Sequence, residues 1–338
     1  MGPEKVVAFG PGRVNLIGEH TDYNGGLAMP FAIERGVTVT ATRADRWEVD
    51  ALDFREHDEF SKPKRVRGWK SFHRGMIAEL RAAGYELHPA HLVLTGNVPR
   101  GSGLSSSAAL EAALALALLG LSGEDPPADL RDLAKLCSKV ENEWVGAETG
   151  LLDQFASLLS HEGHVLRIDF TSLDVESYPL ELGDWQLVTM DSGATHNLAA
   201  SGYNQRRAEC RAACEALGIG SLREAGDLGA LDGTLLKRAR HVVSENARVD
   251  ATAAALDADD LPRVARLLDE SHASLRDDYE ASVPEVEATV ARLKAAGAAG
   301  ARMVGGGFGG SVLALLPPGV VGPAGALLVA PHAPARLL

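Results

Sequence analysis

The stretch Gly101-Ser102-Gly103-Leu104-Ser105-Ser106-Ser107-Ala108 sets glycines and hydroxyls directly before a run of strong helix formers, Leu110 to Leu119. The first backbone N–H groups of a helix have no partner within it, and its dipole makes that end positive, so the stretch predicts an anion seat suited to phosphate. One serine is enough to cap a helix. Three in a row behind Gly-x-Gly exceed that need. This is not a Walker loop, because no Gly-Lys-[Ser/Thr] follows, and the complete Gly-x-Gly-x-x-Gly dinucleotide fingerprint is also missing.

A phosphate cradle becomes a phosphoryl-transfer site when it is joined by oxygen ligands for a metal ion and a group that orients or deprotonates the attacking hydroxyl. Glu141 and Asp153 are the carboxylate candidates between the two glycine-rich stretches. Asp153 lies between Leu151-Leu152 and Gln154-Phe155, where an unpaired charge is costly. A second cluster, Arg13 to Gly26, packs Arg13, Asn15, Glu19, His20, Thr21, Asp22, Tyr23 and Asn24 among glycines between apolar stretches, and this density reads as a site. Gly305-Gly306-Gly307-Phe308-Gly309-Gly310 holds more glycine than a hairpin requires and permits close backbone approach. His161-Glu162-Gly163-His164 lacks the His-Glu-x-x-His spacing and reads as a polar turn. Among the histidines, His20 is the functional candidate, whereas His196 and His241 read as structural.

The elements that must hold these residues follow from periodicity and breakers. Strands are expected at 5–9, 36–42, 47–52, 91–98, 163–170, 177–180, 186–190, 302–304 and 311–316, and helices at 69–83, 110–119, 129–145, 150–159, 202–217, 235–249, 261–277 and 283–296. Gly10-Pro11-Gly12 is expected to break the first strand into a tight loop, and 53–67 to form a charged hairpin or loop. The Ser-rich turn then joins the end of a strand to a helix, where open α/β layers bind ligands.

The 338 residues, 46% hydrophobic and 23% charged, are those of an ordinary globular chain long enough for two domains, with the best boundary near Leu180 to Asp184. A net charge of −13 argues against nucleic-acid or anionic-membrane partners. Residues 1–5 show no secretory leader, and the apolar run 112–121 is too short to cross a bilayer. Cys137, Cys210 and Cys214 form no Cys-x-x-Cys pair, which fits a reduced cytoplasmic location. Cys210 and Cys214 share a helical face, where packing is the expected role.

Pro11-Gly12-Arg13-Val14-Asn15-Leu16-Ile17-Gly18-Glu19-His20-Thr21-Asp22-Tyr23-Asn24-Gly25-Gly26 resembles the galactokinase signature. Gly103 to Ala109 is similar to the phosphate loop of the wider GHMP kinases, and Gly305 to Gly310 to their third motif. Gly150 to Phe155, Tyr203 to Cys210 and His241 to Asn246 are further galactokinase-like pieces, so the resemblance spans nearly the whole chain. It implies an α+β fold of two-domain GHMP kinase architecture. The N-terminal domain, 1–182, would be ribosomal protein S5 domain 2-like, and the C-terminal domain, 183–338, a ferredoxin-like α/β sandwich.

The resemblance implies ATP-dependent phosphorylation of the C1 hydroxyl of α-D-galactose, the first committed step of the Leloir pathway. Asp153 would be the catalytic carboxylate, either removing the proton or orienting the hydroxyl, and Arg13 its cationic partner. Glu19, His20, Asp22, Gly150 and Tyr203 match sugar-binding positions. Gly101, Ser102, Gly103, Leu104, Ser105, Ser106, Ser107 and Ala108 match the ATP phosphate loop, with Trp69 and Phe72 near the adenine; core packing is an equal reading for these two aromatics. Ser107 and Glu141 match the Mg2+ positions. The partners implied are galactose and MgATP in a monomer or weak homo-oligomer, with no nucleic acid and no membrane.

Val304, Ser311 and Thr195 depart from the family pattern, the ends look short, and the helix after the third motif is expected to be missing between Leu316 and Ala326. Two other functions remain: a GHMP kinase for a related sugar such as N-acetylgalactosamine, and a non-enzymatic sugar sensor. Sensors of that kind lack the Ser-Ala pair that is present here as Ser107-Ala108.

Overall fold

The computed structural model describes residues 3–99, 101–194 and 199–338. Its first half runs β1 (Lys5–Asn15), β2 (Leu27–Ala28), β3 (Pro30–Arg43), β4 (Trp47–Ala51), β5 (Glu56–Phe60), α1 (Lys70–Ala82), β6 (Ala90–Gly96), α2 (Ser106–Ser122), α3 (Leu130–Lys139), α4 (Leu152–Leu159), β7 (His164–Asp169) and β8 (Val175–Pro179). The second half runs β9 (Gln186–Asp191), α5 (Ala199–Leu217), α6 (Gly233–Asp257), α7 (Leu261–Asp277), α8 (Pro284–Ala295), β10 (Gly300–Met303), β11 (Ser311–Leu316), β12 (Leu327–Val329) and β13 (Arg336–Leu337). The sheets have the orders β13-β1-β3-β6-β4-β5, β10-β11-β9-β12 and β2-β7-β8. This is an α+β fold.

The strand β1 does not stop at Phe9. It continues through Gly10-Pro11-Gly12 to Asn15, paired with β3 and carrying a register shift between Pro11 and Arg13. The glycines serve close approach rather than a turn. A Cβ on Gly10 would stand 2.1 Å from the Ala109 carbonyl oxygen of α2, and one on Gly12 would stand 2.6 Å from that of Leu104. The helix α2 is apolar on every side and buried from Ala108 to Leu119 except at Leu110, so it is the core of this half, and bare backbone on β1 lets it lie close. The Ser-rich turn is thereby held against the strand that carries Arg13.

The expected 53–67 hairpin is formed by β4 and β5, with Trp47 opposite Phe60. The helix expected over 129–145 is α3 followed by one turn of wider, π-helical spacing, Val140–Val145, which ends at Gly146 with φ 87°. Such turns occur at functional sites, and this one carries Glu141. In the second half, α5 to α8 pack on the four-stranded sheet through Leu275, Tyr279, Val286, Met303 and Val312. From Pro317 to Ala326 the chain turns into β12 without a helix, and β13 pairs with β1. No helix among the described residues is long and apolar enough to cross a membrane.

Candidate active site

Arg13 and Asp153 meet from opposite sides of the core. Arg13 Nε donates to Asp153 Oδ1 at 2.7 Å and Nη2 donates to Oδ2 at 2.8 Å, while Nη1 donates to the Gly103 carbonyl at 2.5 Å. Asp153 sits in the first turn of α4, where the helix dipole favours a carboxylate. Ser105 Oγ donates to its Oδ2 at 2.5 Å. Burial works against the Arg13 cation, but the charge and hydrogen bonds of Asp153, together with the charges of Glu19 and Glu141, outweigh it and raise the pKa above the ordinary value. A guanidinium fork of this kind fixes a carboxylate in position.

A cavity of about 340 Å3 opens over this pair and is lined by Glu19, His20, Asp22, Gly150, Tyr203 and Gly306, among others. All five expected sugar residues therefore converge on one space. Burial raises the Glu19 pKa against the opposing pull of Arg302 and Arg13, and Glu19 Oε1 accepts the Gly305 N–H at 2.8 Å. Burial pushes Asp22 up to about 6. Gly150 leaves room for Asp22, since a Cβ there would lie 1.9 Å from Asp22 Oδ2 and push that carboxylate aside. Burial holds His20 well below the usual imidazole range, so it is neutral. The segment around it is clamped from α6: Glu245 Oε1 accepts Gly18 N–H at 3.0 Å, Asn246 Oδ1 accepts Leu27 N–H at 2.8 Å, and His241 Nε2 lies 3.1 Å from the Glu19 carbonyl oxygen.

The phosphate turn lies between this cavity and a second of about 220 Å3, lined by Phe54, Trp69, Phe72, Ser106, Ser107 and Leu110. Trp69 and Phe72 thus face open space beside the turn. Ser105 precedes α2 with a left-handed φ of 59°, and its side chain does not cap the helix, which leaves the first amides of α2 free of that hydroxyl. Gly101 and Gly103 also have positive φ, 70° and 71°. Ser102 is buried with Oγ donating to the Pro99 carbonyl at 2.7 Å and shapes the loop; Leu104 and Ala108 are buried as well.

The Glu141 carboxylate accepts from Gln154 Nε2 at 2.7 Å and Thr149 Oγ1 at 3.0 Å, and the nearby Ser107 hydroxyl favours its ionised form. Burial, then the Asp153 charge, raises the Glu141 pKa. A hydroxyl and a carboxylate held together beside a helix N-terminus are hard oxygen donors of the kind Mg2+ takes alongside phosphate and water, so the residues fit that ion.

Comparison with known proteins decides the family. The family model described as the galactokinase galactose-binding signature matches residues 1–43, that of the GHMP kinases N terminal domain matches 71–161, and that of the GHMP kinases C terminal matches 252–321. The chain is 41% identical over 315 residues to the galactokinase of Thermotoga petrophila, covering 92% of this chain and 89% of that protein. The chain belongs to the galactokinase family. To the galactokinase of Haemophilus influenzae it is 41% identical over 331 residues, covering 93% and 85% of the two chains. The crystal structure of Lactococcus lactis galactokinase complexed with galactose matches with a TM-score of 0.91 at 34% identity, covering 99% of this chain and 95% of that one. A mevalonate kinase from Methanococcus jannaschii, at 15% identity and a TM-score of 0.69, shares the fold.

Within this galactokinase-family site, several residues act that local sequence reasoning did not select. Arg302, fully buried on β10, donates through Nη1 to the carbonyls of Asn15 and Leu16 at 2.9 and 3.0 Å, and its Nη2 lies 3.3 Å from Glu19. Glu111 is buried in α2 and accepts from Gln154 Nε2 at 3.0 Å; burial raises its pKa well above the carboxylate range. Its signal was a carboxylate inside an apolar run. The departures Val304 and Ser311 are buried beside the third motif; Thr195 and His196 lie outside the described residues. His164 Nδ1 lies 2.8 Å from the Glu162 carbonyl oxygen in the turn between α4 and β7, and Cys210 and Cys214 are buried on α5.

Proposed function

We propose that this galactokinase-family chain transfers the γ-phosphoryl group of ATP to the C1 hydroxyl of α-D-galactose, with Asp153 and Arg13 as the catalytic pair. The observation that carries this reading is the fork of Arg13 on Asp153, in the wall of the cavity that Glu19, His20 and Asp22 line, with Ser105 and Gly103 of the Ser-rich turn bonded to the same pair. Galactose in that cavity would give its hydroxyl protons to Glu19 and Asp22, with His20 and Tyr203 closing the walls around Gly150. The C1 hydroxyl would face Asp153, which accepts or orients its proton while Arg13 stays charged and steadies the negative charge that develops.

The phosphates of ATP would lie on the loop from Gly101 to Ala108, with the amides at the start of α2 facing the oxygens that gain charge, and the adenine would lie beside Trp69 and Phe72. Ser107 and Glu141 would hold Mg2+, which when bound neutralises charge on the phosphates. The same reading divides the chain into domains 1–182 and 183–338 and takes galactose and MgATP as its partners, in a cytoplasmic monomer or weak homo-oligomer.

The test is ADP release with ATP and Mg2+ against galactose, glucose, N-acetylgalactosamine and arabinose. Turnover with galactose well above the others is the expected result. Preference for N-acetylgalactosamine would reassign the sugar, and transfer to none would favour the sensor.

A further inference from the structure

His20 is the most constrained residue of the large cavity. Its φ of 62° is left-handed, a conformation that costs energy for a residue with a side chain. The ring is buried between Tyr279, 4.5 Å away between centroids, and Tyr203, at 5.5 Å. His20 lines the cavity beside Gly306, whose backbone acts on the ring, and its Nε2 is buried without a well-formed hydrogen bond. Behind the ring, Nδ1 lies 2.8 Å from the Tyr23 hydroxyl, which lies 2.8 Å from the Tyr279 hydroxyl, which in turn lies 3.1 Å from Cys210 Sγ. A single file of hydrogen bonds thus runs from the cavity wall to the middle of α5.

We infer that Tyr23, itself held by Tyr279, is a positioning residue that sets the tautomer of His20, so that Nε2 carries the proton and offers a donor to an oxygen of the bound sugar. The sugar part of this inference rests on the proposed function; the tautomer part does not.

Two proton arrangements satisfy the file. In one, the thiol donates to Tyr279, Tyr279 to Tyr23, and Tyr23 to Nδ1, which leaves the imidazole proton on Nε2. In the other, every bond is reversed: Nδ1–H donates to Tyr23, and Tyr279 ends on sulfur. The first matches the better donor, a phenol O–H, with the better acceptor, an imidazole nitrogen. The second spends a phenol O–H on sulfur, a weak acceptor. The nitrogen that is held from behind decides which one faces the ligand. All four groups stay neutral: burial lowers the His20 pKa, raises both phenols well above their ordinary value and pushes the Cys210 thiol up to about 11.

The cavity supplies the complementary reason. Glu19, Asp22 and Asp153 line it, and an ionised carboxylate only accepts. A sugar hydroxyl has one proton to give; once that goes to a carboxylate, its oxygen needs a donor. A neutral imidazole with Nε2–H provides one, and the sugar oxygen satisfies a buried N–H that otherwise lacks a well-formed hydrogen bond.

The experiment is two-bond 1H–15N correlation spectroscopy on the full chain labelled with 15N-histidine, comparing the parent with Tyr23→Phe and Tyr279→Phe, alongside steady-state kinetics. The expected result is a parent His20 in the Nε2–H form, a mixed tautomer in Tyr23→Phe and a smaller change in Tyr279→Phe. Tyr23→Phe should raise KM for galactose about tenfold with KM for ATP unchanged. A parent His20 protonated on Nδ1, or a Tyr23→Phe spectrum identical to that of the parent, overturns the inference. Expected spectra with no galactose turnover by the parent overturn the proposed function and leave Tyr23 setting the tautomer. Tyr279→Phe breaks the file one bond further back and keeps the ring that packs on His20, so it reads the inference even if Tyr23→Phe does not fold.

Discussion

Removing the Asp153 carboxylate separates chemistry from architecture, because the proposed function gives it a part in the first and its ion pair with Arg13 gives it a part in the second. Arg13 has 8% of its side chain exposed and Asp153 has 24%, so the pair is mostly shielded from water. In Asp153→Ala the guanidinium keeps only the Gly103 carbonyl among these partners. Breaking a fully buried pair costs about 3–5 kcal/mol; with a quarter of the carboxylate exposed and one acceptor left, about 2–3 kcal/mol is expected here. The double variant Arg13→Met/Asp153→Leu removes both charges and should recover most of that loss, since the penalty comes from the stranded cation. Urea unfolding of the parent, Arg13→Met, Asp153→Leu and the double variant closes the cycle, with Asp153→Ala measured beside it.

Turnover should follow a different pattern. A positioned base contributes about 10²–10⁴-fold, and groups that act as a unit lose nearly everything when either is removed. Asp153→Ala, Arg13→Met and the double variant should therefore all fall by at least about 100-fold in kcat, while galactose still binds by calorimetry. ADP release corrected for the folded fraction is the assay. If Asp153→Ala keeps kcat within tenfold of the parent, or the double variant recovers turnover together with stability, the pair is structural and the assignment of Asp153 fails.

Glu141→Ala should lower activity at limiting Mg2+ and regain part of it in excess Mg2+, with direct Mg2+–ATP titration of the protein weakened in parallel; an unchanged Mg2+ dependence would remove Glu141 from the ion. Gly150→Ala places a Cβ 1.9 Å from Asp22 Oδ2, and a carboxylate end can swing away, so the fold should survive while KM for galactose rises about tenfold or more. Asp22, at about 6 in the folded chain against about 3.9 unfolded, keeps its proton longer when native. Its contribution to stability is therefore full below about pH 4 and is lost as pH rises through 6, a slope that Asp22→Asn should remove from a pH series of thermal melts. Galactose affinity should rise over the same window as Asp22 ionises.

Much of this site is legible in the chain because it is local. The cap and limits of α7 follow from Asp260, Pro262 and the periodic leucines between them. The Ser-rich turn follows from glycines before helix formers, and Asp153 from a charge among apolar neighbours. Glu111 carries the same signal, a carboxylate in a run of alanine and leucine, yet nothing near it in the chain hints that Gln154 will arrive to hold it. Gly10-Pro11-Gly12 misled for the opposite reason. Glycine and proline usually mark turns, but here the glycines answer to the backbone of α2, a hundred residues away, and only packing shows that the strand continues beneath it.

The residues hardest to read are those whose partners come from the other half of the chain. Arg302 looks like one polar position in a short strand; its meaning lies in the carbonyls of Asn15 and Leu16 and the carboxylate of Glu19, which no spacing connects to it. Tyr279 sits at the end of a helix with nothing around it to suggest chemistry, and it becomes informative only as the partner of Tyr23. Both reach the first motif from the C-terminal half, as do Glu245, Asn246 and His241. The motif residues line the cavity, but their geometry is imposed from behind. A substitution at Arg302 or Tyr279 should therefore alter sugar recognition before it alters the handling of ATP.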